Sequence, residues 1–171
     1  QGLGMRVVAY DPHISPDVAA KMDVELLSLD DLLARADVIT VHVPKTKETA
    51  GLLGAEAFKK MKPGVLVVNA ARGGIVNESA LLEALNDGRV GGAALDVFEK
   101  EPVDKDNPLV LHEKVICTPH LGASTEQAQV NVAVAIAEQV RDFLTSGVIR
   151  NAVNVPSVSA EVLEQIRPYI V

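Results

Sequence analysis

The sequence predicts an α/β fold built around a parallel sheet, and two observations carry that prediction. Apolar, β-branched runs recur along the chain at residues 6–10, 38–43, 65–69, 92–97 and 115–117, and most lack the in-out alternation of a half-wetted sheet. Stretches of helical periodicity separate them, so strand and helix take turns along the chain.

Each element has its own local signal. Residues 6–10 form the first strand, stopped by Asp11-Pro12, because proline restricts the residue before it. A helix over 16–22 follows, with Ser15 as N-cap and Pro16 in the first turn, where a missing N–H costs nothing. Ser28 caps a second helix over 29–36, the strand at 38–43 comes next, and a third helix covers 55–60. The strand at 65–69 leads into Ala70-Ala71-Arg72-Gly73-Gly74. Asn77 then opens a helix over 78–87 that Gly88 ends. The strand at 92–97 carries acids beyond its end, and the strand at 115–117 runs into Thr118-Pro119-His120. The longest helical pattern spans 126–146, with Val130, Val134, Ala137, Val140 and Leu144 near one face for packing, and stops at Gly147. Residues 151–156 read as a linker, and 160–166 as the start of another helix. The expected organisation is one nucleotide-binding domain over 1–150, then the linker and the beginning of a following domain over 151–171.

Composition narrows the function. The chain has 171 residues, 48% of them hydrophobic, enough for one core of ordinary size. Its net charge of -7 and lack of a basic run argue against nucleic acid and anionic membranes, so a small molecule or another subunit is the expected partner. The single cysteine, Cys117, excludes an internal disulfide framework, and no apolar stretch approaches the roughly 20 residues of a bilayer span. The cytoplasm is the expected compartment, and no metal-ligand cluster stands out.

The chemistry gathers at the strand ends. His120 follows the last strand directly, at the sheet edge where open α/β folds place ligands, and an imidazole there can exchange protons near neutral pH. A lone histidine is more often structural. Here Arg72 and the acids Asp96, Glu99 and Glu101 leave the two preceding strands at the same edge. Asp11, at the end of the first strand, occupies the place where a dinucleotide-binding fold puts the acid that holds the adenosine ribose and repels a 2'-phosphate, which favours NAD over NADP. The glycine fingerprint G-x-G-x-x-G expected some twenty residues before such an acid is not in the chain. Gly2-Leu3-Gly4 enters a strand rather than a helix and is not that motif. The expectation is therefore a Rossmann-like, doubly wound parallel sheet that is incomplete, its usual first strand, which stands at the centre of such sheets, and its phosphate loop being absent from the chain.

Five stretches, Ala9-Tyr10-Asp11-Pro12, residues 36–44, residues 61–74, residues 95–102 and Thr118-Pro119-His120-Leu121-Gly122-Ala123-Ser124-Thr125, occur in an order that resembles the NAD-binding domain of the D-isomer-specific 2-hydroxyacid dehydrogenases. The resemblance implies a catalytic set of Arg72, Glu101 and His120. His120 would move the substrate hydroxyl proton, Glu101 would fix the imidazole tautomer, and Arg72 would grip the substrate carboxylate as a two-pronged donor. Glu99 competes with Glu101 by position, and the acid before Pro102 is the one that matches the family. The implied NAD contacts are Asp11, Val43, Ala70, Ala71, Arg72, Asp96, His120, Leu121 and Gly122, with Asp96 accepting from the nicotinamide carboxamide. His13, His42 and His112 are expected to be structural or exposed.

Residues 120–125 and the tail at 151–156 narrow the resemblance to members that oxidise D-3-phosphoglycerate to 3-phosphohydroxypyruvate, the first step of L-serine biosynthesis, in a longer parent protein that is a dimer or tetramer. The alternatives are another D-2-hydroxyacid enzyme, such as a glyoxylate or hydroxypyruvate reductase, and a non-catalytic NAD-sensing or dimerisation module. The isolated 171 residues are expected to be inactive.

Overall fold

In the computed structural model, strands and helices alternate as β1 (Val8–Ala9), α1 (Pro16–Lys21), β2 (Glu25–Leu26), α2 (Leu29–Arg35), β3 (Val38–Val41), α3 (Ala55–Lys60), β4 (Val65–Asn69), α4 (Glu78–Asn86), β5 (Val90–Leu95), β6 (Val115–Cys117) and α5 (Glu126–Ser146). The structure describes residues 1–122, 124–152, 162 and 165. These fall into two compact units, Gln1–Gly122 and Ala123–Val171.

In the first unit β3, β4, β5 and β6 form a parallel sheet in that order. This is the Rossmann-like arrangement expected. Among the described residues β1 pairs in parallel with β2 alone, as a separate two-stranded sheet. The first strand is thus two residues long rather than five, and β2 was not foreseen, since Glu25-Leu26 is too short to show a period. β5 begins and ends two residues earlier than expected.

Helices cover one face of the four-stranded sheet. Connections between successive parallel strands are right-handed, so crossovers running the same way along the sheet lay their helices on one side. Leu33 from α2, Phe58 from α3, and Leu81 and Leu85 from α4 share a single core with Ile39, Val65, Val67, Val90 and Leu95 from the strands. The expectation of strands buried on both faces is corrected here. Val38, Leu66 and Ile116 point the other way and stay exposed, because among the described residues of this unit no helix covers that side.

The caps form as read: the Ser15, Ser28 and Asn77 side chains accept from the first turns of α1, α2 and α4. In the second unit Thr125 caps α5, and Gly147 ends it with φ 72 in the left-handed region. The packing face expected on α5 is not buried; Val130, Val134, Val140 and Leu144 are all exposed. Hydrophobic periodicity marks a face of a helix but not what covers it. Val162 and Gln165 are helical, while the rest of the helix expected at 160–166, the linker after Ala152, and Ala123 lie outside the described residues. Among the described residues no helix is long and apolar enough to cross a membrane, and no cluster of side chains could hold a metal ion.

Candidate active site

The carboxyl ends of β4, β5 and β6 are joined by hydrogen bonds. Parallel pairing runs on past the strands, with Asp96 N–H donating to Asn69 O at 2.9 Å and Thr118 N–H to Leu95 O at 3.0 Å. The loops that carry Arg72, Glu101 and His120 therefore start in register.

His120 is the most constrained of these residues. Its φ of 56° lies in the left-handed region, uncommon for a residue with a side chain and a mark of strain held by surrounding contacts. Asp96 supplies those contacts. One carboxylate oxygen accepts from Leu121 N–H at 2.7 Å and from the Thr118 hydroxyl, and the other from Gly122 N–H at 2.9 Å. Asp96 is 9% exposed. Burial alone would raise its carboxyl, but the Thr118 hydroxyl, the two backbone N–H groups and the nearby His120 charge together hold it below the usual aspartate value.

The imidazole is oriented by Glu101. His120 Nδ1 lies 2.7 Å from Glu101 Oε2, while Glu101 Oε1 accepts from Phe98 N–H at 3.0 Å. The His120 hydrogen bond first, and the Phe98 N–H second, push Glu101 below the ordinary glutamate range. An ionised carboxylate can only accept, so Nδ1 carries the proton and Nε2 is the basic nitrogen. The ring is 44% exposed and Glu101 37%, which leaves the pair open to a reactant. The competitor Glu99 is engaged elsewhere. It accepts from Glu78 N–H at the start of α4, and its own N–H donates to the Glu78 carboxylate.

Arg72 stands on the loop after β4, exposed, with one guanidinium N–H donating to Ala71 O at 2.6 Å. It lines a cleft of about 560 Å³ with His42, Val43, Pro44, Lys45 and Ala71. Gly73 lets this loop approach the next one: a Cβ there would stand 1.7 Å from Phe98 O, so only glycine fits.

Of the residues expected to form the site, Glu101 is hydrogen-bonded to His120 and Asp96 to Leu121 and Gly122, the two groups adjoining where His120 meets Leu121 in the chain, and the Arg72 loop packs against Phe98 beside them. Val43 and Ala71 are half-buried in the cleft, and Ala70 is exposed beside it. Asp11 is not part of the cluster. It is exposed after β1, with Oδ1 accepting from His13 N–H at 2.8 Å. His42 pairs with Thr40 at 3.0 Å, and His112 accepts from Lys114 N–H, both local contacts.

Sequence reasoning missed Asn69, Thr118 and the role of Phe98. A buried asparagine ending an apolar strand ahead of a Gly-Gly turn was a usable signal, since asparagine bonds the backbone two residues on. Nothing in the sequence signalled the backbone of His120.

The residues present suit NAD in part. The apolar wall of Val43, Pro44 and Ala71 can take a ring face, and the Asp11 carboxylate can take ribose hydroxyls. Residues 1–122 match the family model described as D-isomer specific 2-hydroxyacid dehydrogenase, NAD binding domain. The chain is 52% identical over 170 residues to D-3-phosphoglycerate dehydrogenase of Archaeoglobus fulgidus, covering 99% of this chain and 32% of the relative. It is 50% identical to the enzyme of that name from Synechocystis, covering 99% and 30%. Among solved structures, a glyoxylate reductase from Paecilomyes thermophila superposes with TM-score 0.78 at 29% identity, over 90% of this chain and 46% of that one. The holo form of D-mandelate dehydrogenase from Rhodotorula graminis gives TM-score 0.78 at 31% identity, over 92% and 47%. The chain spans about a third of the length of the curated relatives it matches.

Proposed function

The chain belongs to the D-isomer specific 2-hydroxyacid dehydrogenases, as their NAD binding domain, and from that membership we propose that it is the cofactor-binding and proton-transferring part of an enzyme that oxidises D-3-phosphoglycerate to 3-phosphohydroxypyruvate. The observation that carries the catalytic reading is the His120–Glu101 pair, 2.7 Å apart and open to solvent beside the Arg72 loop. The substrate rests on relatives of about half identity that bear the name of that activity.

His120 Nε2 takes the proton of the substrate hydroxyl and returns it in the reverse direction, a contribution of about 10²- to 10⁴-fold in rate. Bound NAD would supply the acceptor for the hydride that leaves the same carbon. Glu101 keeps Nδ1 protonated so that Nε2 remains the acceptor. Arg72 grips the substrate carboxylate, a planar task suited to its paired donors. Val43, Ala70 and Ala71 would line the adenosine and ribose, and Asp11 would hold the ribose hydroxyls and disfavour a 2'-phosphate. Leu121 and Gly122 would border the nicotinamide. Asp96 Oδ2 accepts a single hydrogen bond among the described residues, which leaves it a lone pair for the carboxamide.

This domain occupies residues 1–150. The enzyme works in the cytoplasm as a dimer or tetramer, at the first step toward L-serine. Steady-state kinetics of the full-length enzyme on 3-phosphoglycerate, glycerate and lactate test the substrate. The highest kcat/KM is expected for 3-phosphoglycerate; preference for an unphosphorylated acid would replace this reading with that of another 2-hydroxyacid dehydrogenase.

A further inference from the structure

We propose that Asn69 is a positioning residue for Arg72, fixing the backbone from which the guanidinium reaches substrate. The inference rests on the role given to Arg72 above.

Asn69 ends β4 with its side chain 1% exposed, among the most deeply buried polar groups described. A buried amide is costly unless both ends are bonded, and both are. Its oxygen accepts from Ala71 N–H at 3.1 Å, and its nitrogen donates to Arg72 O at 3.1 Å. No regular structure pairs those two backbone groups, so the side chain shapes the turn.

The turn in turn holds the guanidinium. Arg72 donates to Ala71 O, the carbonyl of the peptide just before it, so the root of the side chain and its anchor both belong to the segment Asn69 clasps. On the far side Gly73 presses against Phe98 O, and Phe98 N–H donates to the carboxylate that orients His120. The backbone of Asn69 meanwhile accepts from Asp96 N–H, and Asp96 holds Leu121 and Gly122. Asn69 thus ties the substrate-gripping arm to the strand end that holds the proton-transfer arm. A residue that merely filled the core would have no donor and acceptor both spent on the two residues that lead into the arginine side chain.

The test is a double-mutant cycle in the full-length enzyme at saturating NAD, with Tm and NADH affinity measured beside the kinetics. Asn69→Ala is expected to lower kcat/KM for the 2-hydroxy acid about 10- to 100-fold, because misplacement by about 1 Å can cost that much. Arg72→Ala should cost about 100-fold or more. In the Arg72→Ala background, Asn69→Ala should cost nothing further, since coupled residues are not additive. Asn69→Ser, which keeps a polar atom in the buried position, carries the same cycle if Asn69→Ala does not fold. The same fold-loss from the Asn69 change in both backgrounds, or a lowered Tm with unchanged kinetics, would overturn the positioning role alone. An Arg72→Ala enzyme with full kcat/KM would overturn the catalytic reading of Arg72 and this inference with it.

Discussion

The strand ends of β4, β5 and β6 and the β1–β2 pair are built in different ways. At the first, buried side chains of Asn69 and Asp96 spend their polar atoms on neighbouring backbone, above a core that includes Leu81, Leu85 and Val67. At the second, two strands of two residues each are joined by an exposed network in which Glu25 bridges Arg6 and Arg35, and Ala19 is the buried residue of the adjoining helix. Chemistry that moves a proton between defined atoms needs a rigid frame. A carboxylate that meets ribose hydroxyls, as proposed for Asp11, can sit on a looser one.

Stability is the first place to break this contrast. Leu85→Ala, at a fully buried position of α4, should destabilise by about 2–5 kcal/mol, whereas Val8→Ala in the half-buried β1 should cost less than about 1 kcal/mol. Denaturant melts of the two variants check it, and equal losses would show that β1–β2 shares the frame. Gly73→Ala comes next. Its methyl group collides with Phe98 O, and overpacking of this kind costs about 1–3 kcal/mol; the contact between the two loops should open, read as lost protection of the Phe98 amide in hydrogen exchange.

A pH titration probes the frame more gently. Because Glu101 is depressed in the folded state, the stability it contributes is complete above the unfolded glutamate value and is lost as pH falls through the lower folded one. The Glu101 carboxyl resonance should therefore titrate below 4.5, its ordinary value; a midpoint at or above it would show that His120 and the Phe98 N–H do not stabilise the ionised carboxylate. The smallest effect belongs to Arg6→Ala. Its ion pair with Glu25 is exposed, and such pairs often contribute nothing measurable. An unfolding midpoint indistinguishable from the parent is expected, and a clear drop would give the β1–β2 network a structural weight denied to it here.

How much of this was legible in the sequence follows the same division. Long apolar runs and capping residues announced β3 to β6 and α1 to α5, because hydrophobic period and capping chemistry are local. β2 was invisible, since Glu25 and Leu26 become a strand only by pairing with Val8 and Ala9. The residues proposed for the site could be picked out from motifs, and in the structure His120 pairs with Glu101 rather than Glu99. What holds them was not readable: the φ of His120 and the bonds of Asn69 and Asp96 depend on loops that are distant in sequence and meet only when the sheet forms.

The central claim is that this edge places His120 for proton transfer, and one variant tests it most directly. In the full-length enzyme, His120→Asn should lower kcat about 10²- to 10⁴-fold while NADH affinity stays as in the parent. A variant that turns over at a near-parental rate would contradict the account.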